Sequence, residues 1–148
     1  MPPTARVDPY GAFNFQVKID GVVTAAFLEC SGLSTETDVI EYREGTDPLN
    51  SVRKLPGLTH YSPIVLTRGV TTSSELWKWR KNIIAGNVDR RNVSIILLGD
   101  DHTEVLRWDL TSAWPSKWVG PALNAKGSQV AIEALEIVYE ELNWPEGK

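Results

Sequence analysis

The chain has 148 residues, a formal net charge of −4 and a single cysteine. That length suits one domain burying roughly 70% of the surface its unfolded chain exposes, and the lone Cys30 excludes an internal disulfide. The acidity argues against nucleic acid as an adhesive partner, because phosphate binding is driven by Lys and Arg releasing counterions. Met1-Pro2-Pro3-Thr4 does not open a basic and then apolar leader, so synthesis in a reducing cytoplasm without a signal peptide is expected. The longest aliphatic run, Ile95 to Leu98, falls far short of the ~20 residues a membrane-spanning helix requires, and a soluble protein without a membrane partner is expected.

Asp8-Pro9-Tyr10-Gly11 is a turn, and Phe13, Phe15, Val17 and Ile19 then alternate with polar residues as a strand. Asp20-Gly21 is the strongest hairpin signal in the chain. A second strand starts at Val22, runs through Ala25-Ala26-Phe27-Leu28, bends near Ser31-Gly32 and resumes from Leu33 to Tyr42. Between Tyr42 and Gly69, the residues Gly45, Pro48, Pro56 and Gly57 interrupt helix and ladder alike. They predict a long arm loop over about 45–60. Loops of that length in compact domains are mostly functional or disordered. This one mixes Arg43, Glu44, Asp47, Arg53 and Lys54 with apolar Leu49, Val52, Leu55 and Leu58, which a solvated linker does not need. It reads as an arm that docks onto something.

Ile64 to Arg68 is a third strand, closed by Gly69. Thr72 and Glu75 fit a capping box, and Leu76, Trp79 and Ile83 recur at helical spacing up to Gly86, which predicts one helix over about 73–85 with a basic side of Lys78, Arg80 and Lys81. Asn92 to Leu98 is a buried strand with a turn at Gly99-Asp100-Asp101. Leu106, Trp108 and Leu110 mark a two-faced strand that Trp114-Pro115 interrupts, and Lys117 to Pro121 reads as a stop and turn. Val130 to Leu142 fits helix and strand alike, with a composition that leans helical.

Six tryptophans stand out, four of them beside Arg or Lys in Trp77-Lys78-Trp79-Arg80, Arg107-Trp108 and Lys117-Trp118. They suit interfaces or cores with a polar edge, and the sequence leaves both open. Catalytic signals are poor. There is no G-x-S-x-G, phosphate loop or cysteine pair. His60 and His102 are the only histidines, and Gly99-Asp100-Asp101-His102 is ordinary turn chemistry rather than a metal site. No enzyme activity, metal or cofactor is expected. Glu133, Glu136 and Glu140 read as a solvated row, and Cys30 as a buried small hydrophobe.

Eight motifs in order carry a resemblance: Asp8-Pro9-Tyr10 leading to Phe13-x-Phe15-x-Val17, Phe27-x-Glu29-Cys30-Ser31-Gly32-Leu33, Tyr42-Arg43-Glu44-Gly45, Lys54-Leu55-Pro56-Gly57-Leu58, Leu66-Thr67-Arg68-Gly69, Trp77-x-Trp79, and Arg91 to Ile95. Over nearly the whole chain it resembles the tail tube proteins of contractile-tailed phages and of phage-tail-like contractile injection systems. The resemblance implies a mainly β fold with one α-helix, in which two packed antiparallel sheets form a barrel or sandwich bearing a long extended arm, all in a single domain over 1–148. It also makes Val130 to Leu142 a strand against its composition, as tertiary context often does.

Six copies are implied to close into a hexameric ring, with rings stacked into a tube inside a sheath, started by a baseplate or initiator, and carrying DNA or effector protein without tight binding. The particle is a virion tail or an injection particle. Arg43, Glu44, Thr46, Asp47, Leu49, Arg53, Lys54 and Leu55 then become candidate contacts between subunits and rings, and Glu133 and Glu136 candidate lumen residues. The alternative is a soluble monomeric β-barrel that binds a ligand, and it leaves the arm without a purpose.

Overall fold

The computed structural model describes residues 11, 14–23, 27–46, 48, 51–127 and 130–145. The predicted turn at Asp8 to Tyr10, Phe13, the Ala25-Ala26 stretch, and Asp47 and Leu49 of the arm lie outside the described residues. The strands are β1 (Phe15–Ile19), β2 (Val22–Val23), β3 (Glu29–Ser31), β4 (Thr35–Tyr42), β5 (Arg53–Tyr61), β6 (Ile64–Gly69), β7 (Arg91–Leu98), β8 (Glu104–Val119), β9 (Ile132–Val138) and β10 (Glu141–Asn143), with one helix, α1 (Glu75–Ile84), between β6 and β7.

All pairings are antiparallel and follow the path β2-β1-β7-β8-β9-β6-β3, with β10 also on β8 and with β4-β5 as a separate ribbon. Among the described residues β2 and β3 end this path without pairing to each other, which makes an open-edged sandwich rather than a closed barrel. Asp20 (φ 52) and Gly21 (φ 79) build the β1-β2 hairpin. Both positive angles match the twist of the strands they join.

The sandwich is made by one bent strand. β8 pairs with β7 along Glu104 to Ala113 and with β9 along Trp114 to Val119, so its two halves belong to opposite layers. Trp114-Pro115 interrupts the register as expected, but the stop expected at Lys117 to Pro121 comes only after Val119, the last residue of β8. Ser112 sits at φ 54, and the register slips between Pro115 and Lys117. A bulge absorbs the missing proline donor and turns the corner, as in strands that switch sheets.

Val17, Ile19, Val93, Ile95, Leu110 and Ala113 meet Ile64, Leu66, Leu135 and Ile137 in a single core with Leu76 and Trp79 of α1. Val130 to Leu142, helical by composition, is β9 and β10 with a break at Tyr139-Glu140. Leu135 and Ile137 point into the core at period two, and Glu140 N–H returns to Thr111 O at 3.0 Å.

The helix begins at Glu75, after the predicted capping box. Ser74 is the N-cap without a side-chain bond, because Ser73 Oγ takes the Glu75 carboxylate at 2.8 Å and the box cannot close on Thr72. The stop is as expected. Gly86 at φ 86 lets its N–H reach Ile83 O and lets Asn87 N–H reach Asn82 O, both at 3.0 Å, the paired bonds of a Schellman ending.

Trp79 is fully buried, its Nε1 donates to Asp89 O at 2.8 Å, and the Arg91 guanidinium lies 4.9 Å over its ring. Arg91 donates twice to the Asp89 carboxylate, which also receives Asn82 Nδ2. The Arg91 hydrogen bonds hold Asp89 below the usual carboxylate range. Its contribution is therefore present above its unfolded pKa of about 4 and is lost as pH falls through the lower folded value. Trp79→Ala is expected to lower stability by roughly 3 to 5 kcal/mol, read by denaturant unfolding. An unchanged midpoint would show that Trp79 does not anchor the core.

Candidate functional site

The predicted arm loop is half strand: Arg53–Tyr61 is β5, paired with β4, while the described residues between Tyr42 and Arg53 belong to no strand. β4 and β5 pair from Thr35↔Tyr61 to Tyr42↔Arg53. Pro56 and Gly57, expected to break the ladder, are inside β5 because the register shifts there: Gly57 and Leu58 together oppose Asp38, between the Thr37↔Thr59 and Val39↔Pro56 pairs. An edge strand with a bulge tolerates a proline that a central strand excludes. Thr37 and Thr59 hydroxyls are 3.0 Å apart across the ribbon, and His60 Nε2 lies 3.0 Å from Asp38 Oδ2.

Every residue of β4 is exposed, as is most of β5, and the two strands pack chiefly on one another. One face carries Ile40 and Leu55 as register partners with Tyr42, and the other carries Val39 opposite Pro56. Val39 is 63% exposed and Leu58 72%. A two-stranded ribbon is marginal alone in water, and this one shows apolar side chains on both faces.

Of the predicted contact residues, Arg43, Glu44 and Thr46 are exposed beyond the end of β4, and Tyr42 Oη donates to Glu44 Oε1 at 3.3 Å. Arg53, Lys54 and Leu55 begin β5, where Lys54 is in register with Glu41. Sequence reasoning missed Val39 and Ile40 by taking β4 for a strand of the body. The signal was the charged run Glu36, Asp38, Glu41, which leaves no dry face.

The lumen assignment of Glu133 is corrected by the structure. Residues three apart share a helix face but fall on opposite faces of a strand, and Glu133 and Glu136 are both in β9. Glu133 points inward, 7% exposed, opposite Arg68 in register, with Arg68 Nε at 2.6 Å and Trp118 Nε1 donating at 3.2 Å. Arg68 also donates to Ser73 O at 3.3 Å and lies 5.9 Å over the Phe27 ring, while its second terminal nitrogen, Nη1, has no partner among the described residues. Glu136 alone of the two faces outward, half-buried, in register with Lys117 and Val65.

The tryptophans divide. Trp79 is core, Trp77 and Trp118 pair at 4.9 Å beside α1, and Trp108 pairs with Trp144 at 5.3 Å. His102 sits at φ 61 in the turn closed by Gly99 N–H to Thr103 O. Asp101 is spent on the Thr103 hydroxyl and N–H, which lower its pKa. Among the described residues no group of His, Cys, Asp and Glu is placed to hold a metal. Burial, and then the charge of Glu29, push the Cys30 thiol up to about 11.

The sandwich thus bears an exposed ribbon that mixes charged residues with apolar Val39, Ile40, Leu55 and Leu58. Residues 11–143 match the family described as T4-like virus tail tube protein gp19. The chain belongs to this tail tube protein family. It is also similar to a chain of the sheath-tube complex of an extracellular contractile injection system, PVC, at 26% identity with a TM-score of 0.83, over 93% of this chain and 91% of that one. A chain of the tube-terminating cap of the anti-feeding prophage, AFP, is 25% identical with a TM-score of 0.88, over 99% and 97%. Hcp1 from Flavobacterium johnsoniae shares the fold at 16% identity and a TM-score of 0.56, over 90% and 95%. No curated protein matches the sequence.

Two outcomes are expected here. Arg68→Met alone should destabilise by about 3 to 5 kcal/mol by leaving Glu133 charged and buried, whereas Arg68→Met with Glu133→Leu should recover most of that loss; equal losses would mean the pair does not act as a unit. Cys30 should react with iodoacetamide at pH 8 about tenfold more slowly than a free cysteine, since its smaller thiolate fraction outweighs the higher nucleophilicity of that thiolate. Alkylation at the free-thiol rate would contradict the burial described.

Proposed function

We propose that the chain is the repeating subunit of the inner tube of a contractile phage tail or phage-tail-like injection particle, acting as one unit in hexameric rings stacked within a sheath and started by a baseplate. Its role is structural, without turnover, and the lumen conducts DNA or effector protein. The observation that carries this reading is the β4-β5 ribbon, whose apolar side chains are exposed on both faces. Burying them between copies removes that surface from water. Ring closure likewise satisfies the β2 and β3 edges, which are unpaired among the described residues, since a cyclic assembly turns open edges into internal pairs.

The contact set comprises Arg43, Glu44, Thr46, Arg53, Lys54 and Leu55, extended by Val39, Ile40, Tyr42 and Leu58. Net acidity suits a conduit, because like charge keeps an acidic cargo from sticking to the wall. A ligand-binding monomer needs a free apolar interior, and here Ile64, Leu66, Leu110, Leu135, Ile137 and Trp79 fill it.

Purified protein is expected to form hollow rings or rods in negative-stain electron microscopy, nucleated by its initiator where needed. Ile40→Asp with Leu55→Asp should leave the melting temperature nearly unchanged, as exposed substitutions usually shift stability by about 0.5 kcal/mol or less, while sedimentation shows loss of rings and rods. Normal tubes from this variant would refute the ribbon as the assembly contact.

A further inference from the structure

The ribbon stands out from the body through a short double crossing. β3 and β6 pair as far as Ser31↔Val65, and β4 and β5 begin at Thr35↔Tyr61, so residues 32–34 and 62–63 form an elbow between two ladders. Five contacts stiffen it. Gly32 adopts φ 100 against the backbone of Pro63, where any Cβ would collide with the Pro63 carbonyl oxygen. Ser62 N–H donates to Ser34 O at 3.2 Å, and Ser34 Oγ to Ser62 Oγ at 2.6 Å. From the far end of the chain, Tyr139 Oη donates to Ser62 O at 2.7 Å, and its ring tilts against that of Tyr61 at 5.9 Å.

Tyr139 sits at the break between β9 and β10, where both strands run along β8. The base of the arm is thus tied to the strand that joins the two layers. Burial raises the Tyr139 phenol above its ordinary pKa. We propose that this elbow, Gly32 and Ser34 against Ser62 and Pro63 with Tyr139 as its clamp, fixes the direction of the ribbon before assembly and so positions it to meet neighbouring copies. The inference rests on the tube reading above and adds residues that act through the ribbon.

The physical reason is preorganisation. A ribbon with no support on either face, hinged on two single chains, samples many directions, and docking then has to select one of them. The apparent affinity of each contact falls by the fraction of molecules holding the competent direction. Fixing the ribbon beforehand removes that ordering cost from assembly.

The test uses the full chain with Cys30→Ala and nitroxides at Glu41→Cys on the ribbon and Lys78→Cys on α1, both exposed positions. Pulsed electron paramagnetic resonance on the unassembled protein should give one narrow distance distribution. Tyr139→Phe, which keeps the ring and removes only the donor, should broaden it and raise the concentration needed for tube formation by about tenfold, as for a tenfold loss of the competent direction. Gly32→Ala should do the same more severely; if it fails to fold, Tyr139→Phe decides alone. An unchanged narrow distribution in Tyr139→Phe, or broadening with unaltered assembly, would overturn the proposal. A parent protein that forms no rings even with its initiator would refute the tube reading instead, while the distance measurement still decides whether the elbow is locked.

Discussion

Everything in this molecule depends on the bend in β8. A sixteen-residue strand that served only one sheet would leave the second layer without a partner, and no core would exist to exclude water. The positive φ at Ser112 and the register slip after Pro115 carry the strand from one layer to the other. Pro115 occupies the one kind of place in a strand where a missing donor costs little, a bulge at a corner. α1 packs on this same strand, with Arg80 reaching Pro115 O at 3.5 Å and Trp77 against Trp118.

With the two layers fixed, the ribbon follows as a continuation of the β3-β6 hairpin past the elbow. Its strands satisfy each other's backbone groups along one side only and bury almost nothing, so its conformation is held by the ladder and by Tyr139 rather than by a core. That division suits a building block. The apolar core sits in the sandwich, and the ribbon keeps most of its side chains exposed.

The buried Arg68-Glu133 pair shows how a charge can be mistaken for surface. Facing each other across β6 and β9, the two side chains exchange one short hydrogen bond, and Trp118 and Ser73 satisfy further atoms. Such a pair adds little net stability compared with apolar residues of the same volume, yet losing one member is severe, because the other is stranded away from water.

The sequence by itself determined much of this. Asp20-Gly21 specified its hairpin, Gly86 the helix stop, Ile64 to Arg68 a strand, and the order of motifs the family, all through local signals that need no partner. Only the tertiary structure decided the rest. Lys117 to Val119 read as a stop until β9 pairs beyond the Pro115 bulge, and Pro56-Gly57 reads as loop until β4 pairs across it. Val130 to Leu142 and Glu133 were ambiguous for one reason: a segment's period, and with it the face each residue takes, is set by what packs against it. Helical spacing places Glu133 and Glu136 together, and pairing with β6 and β8 drives them to opposite sides, one into the core and one toward solvent.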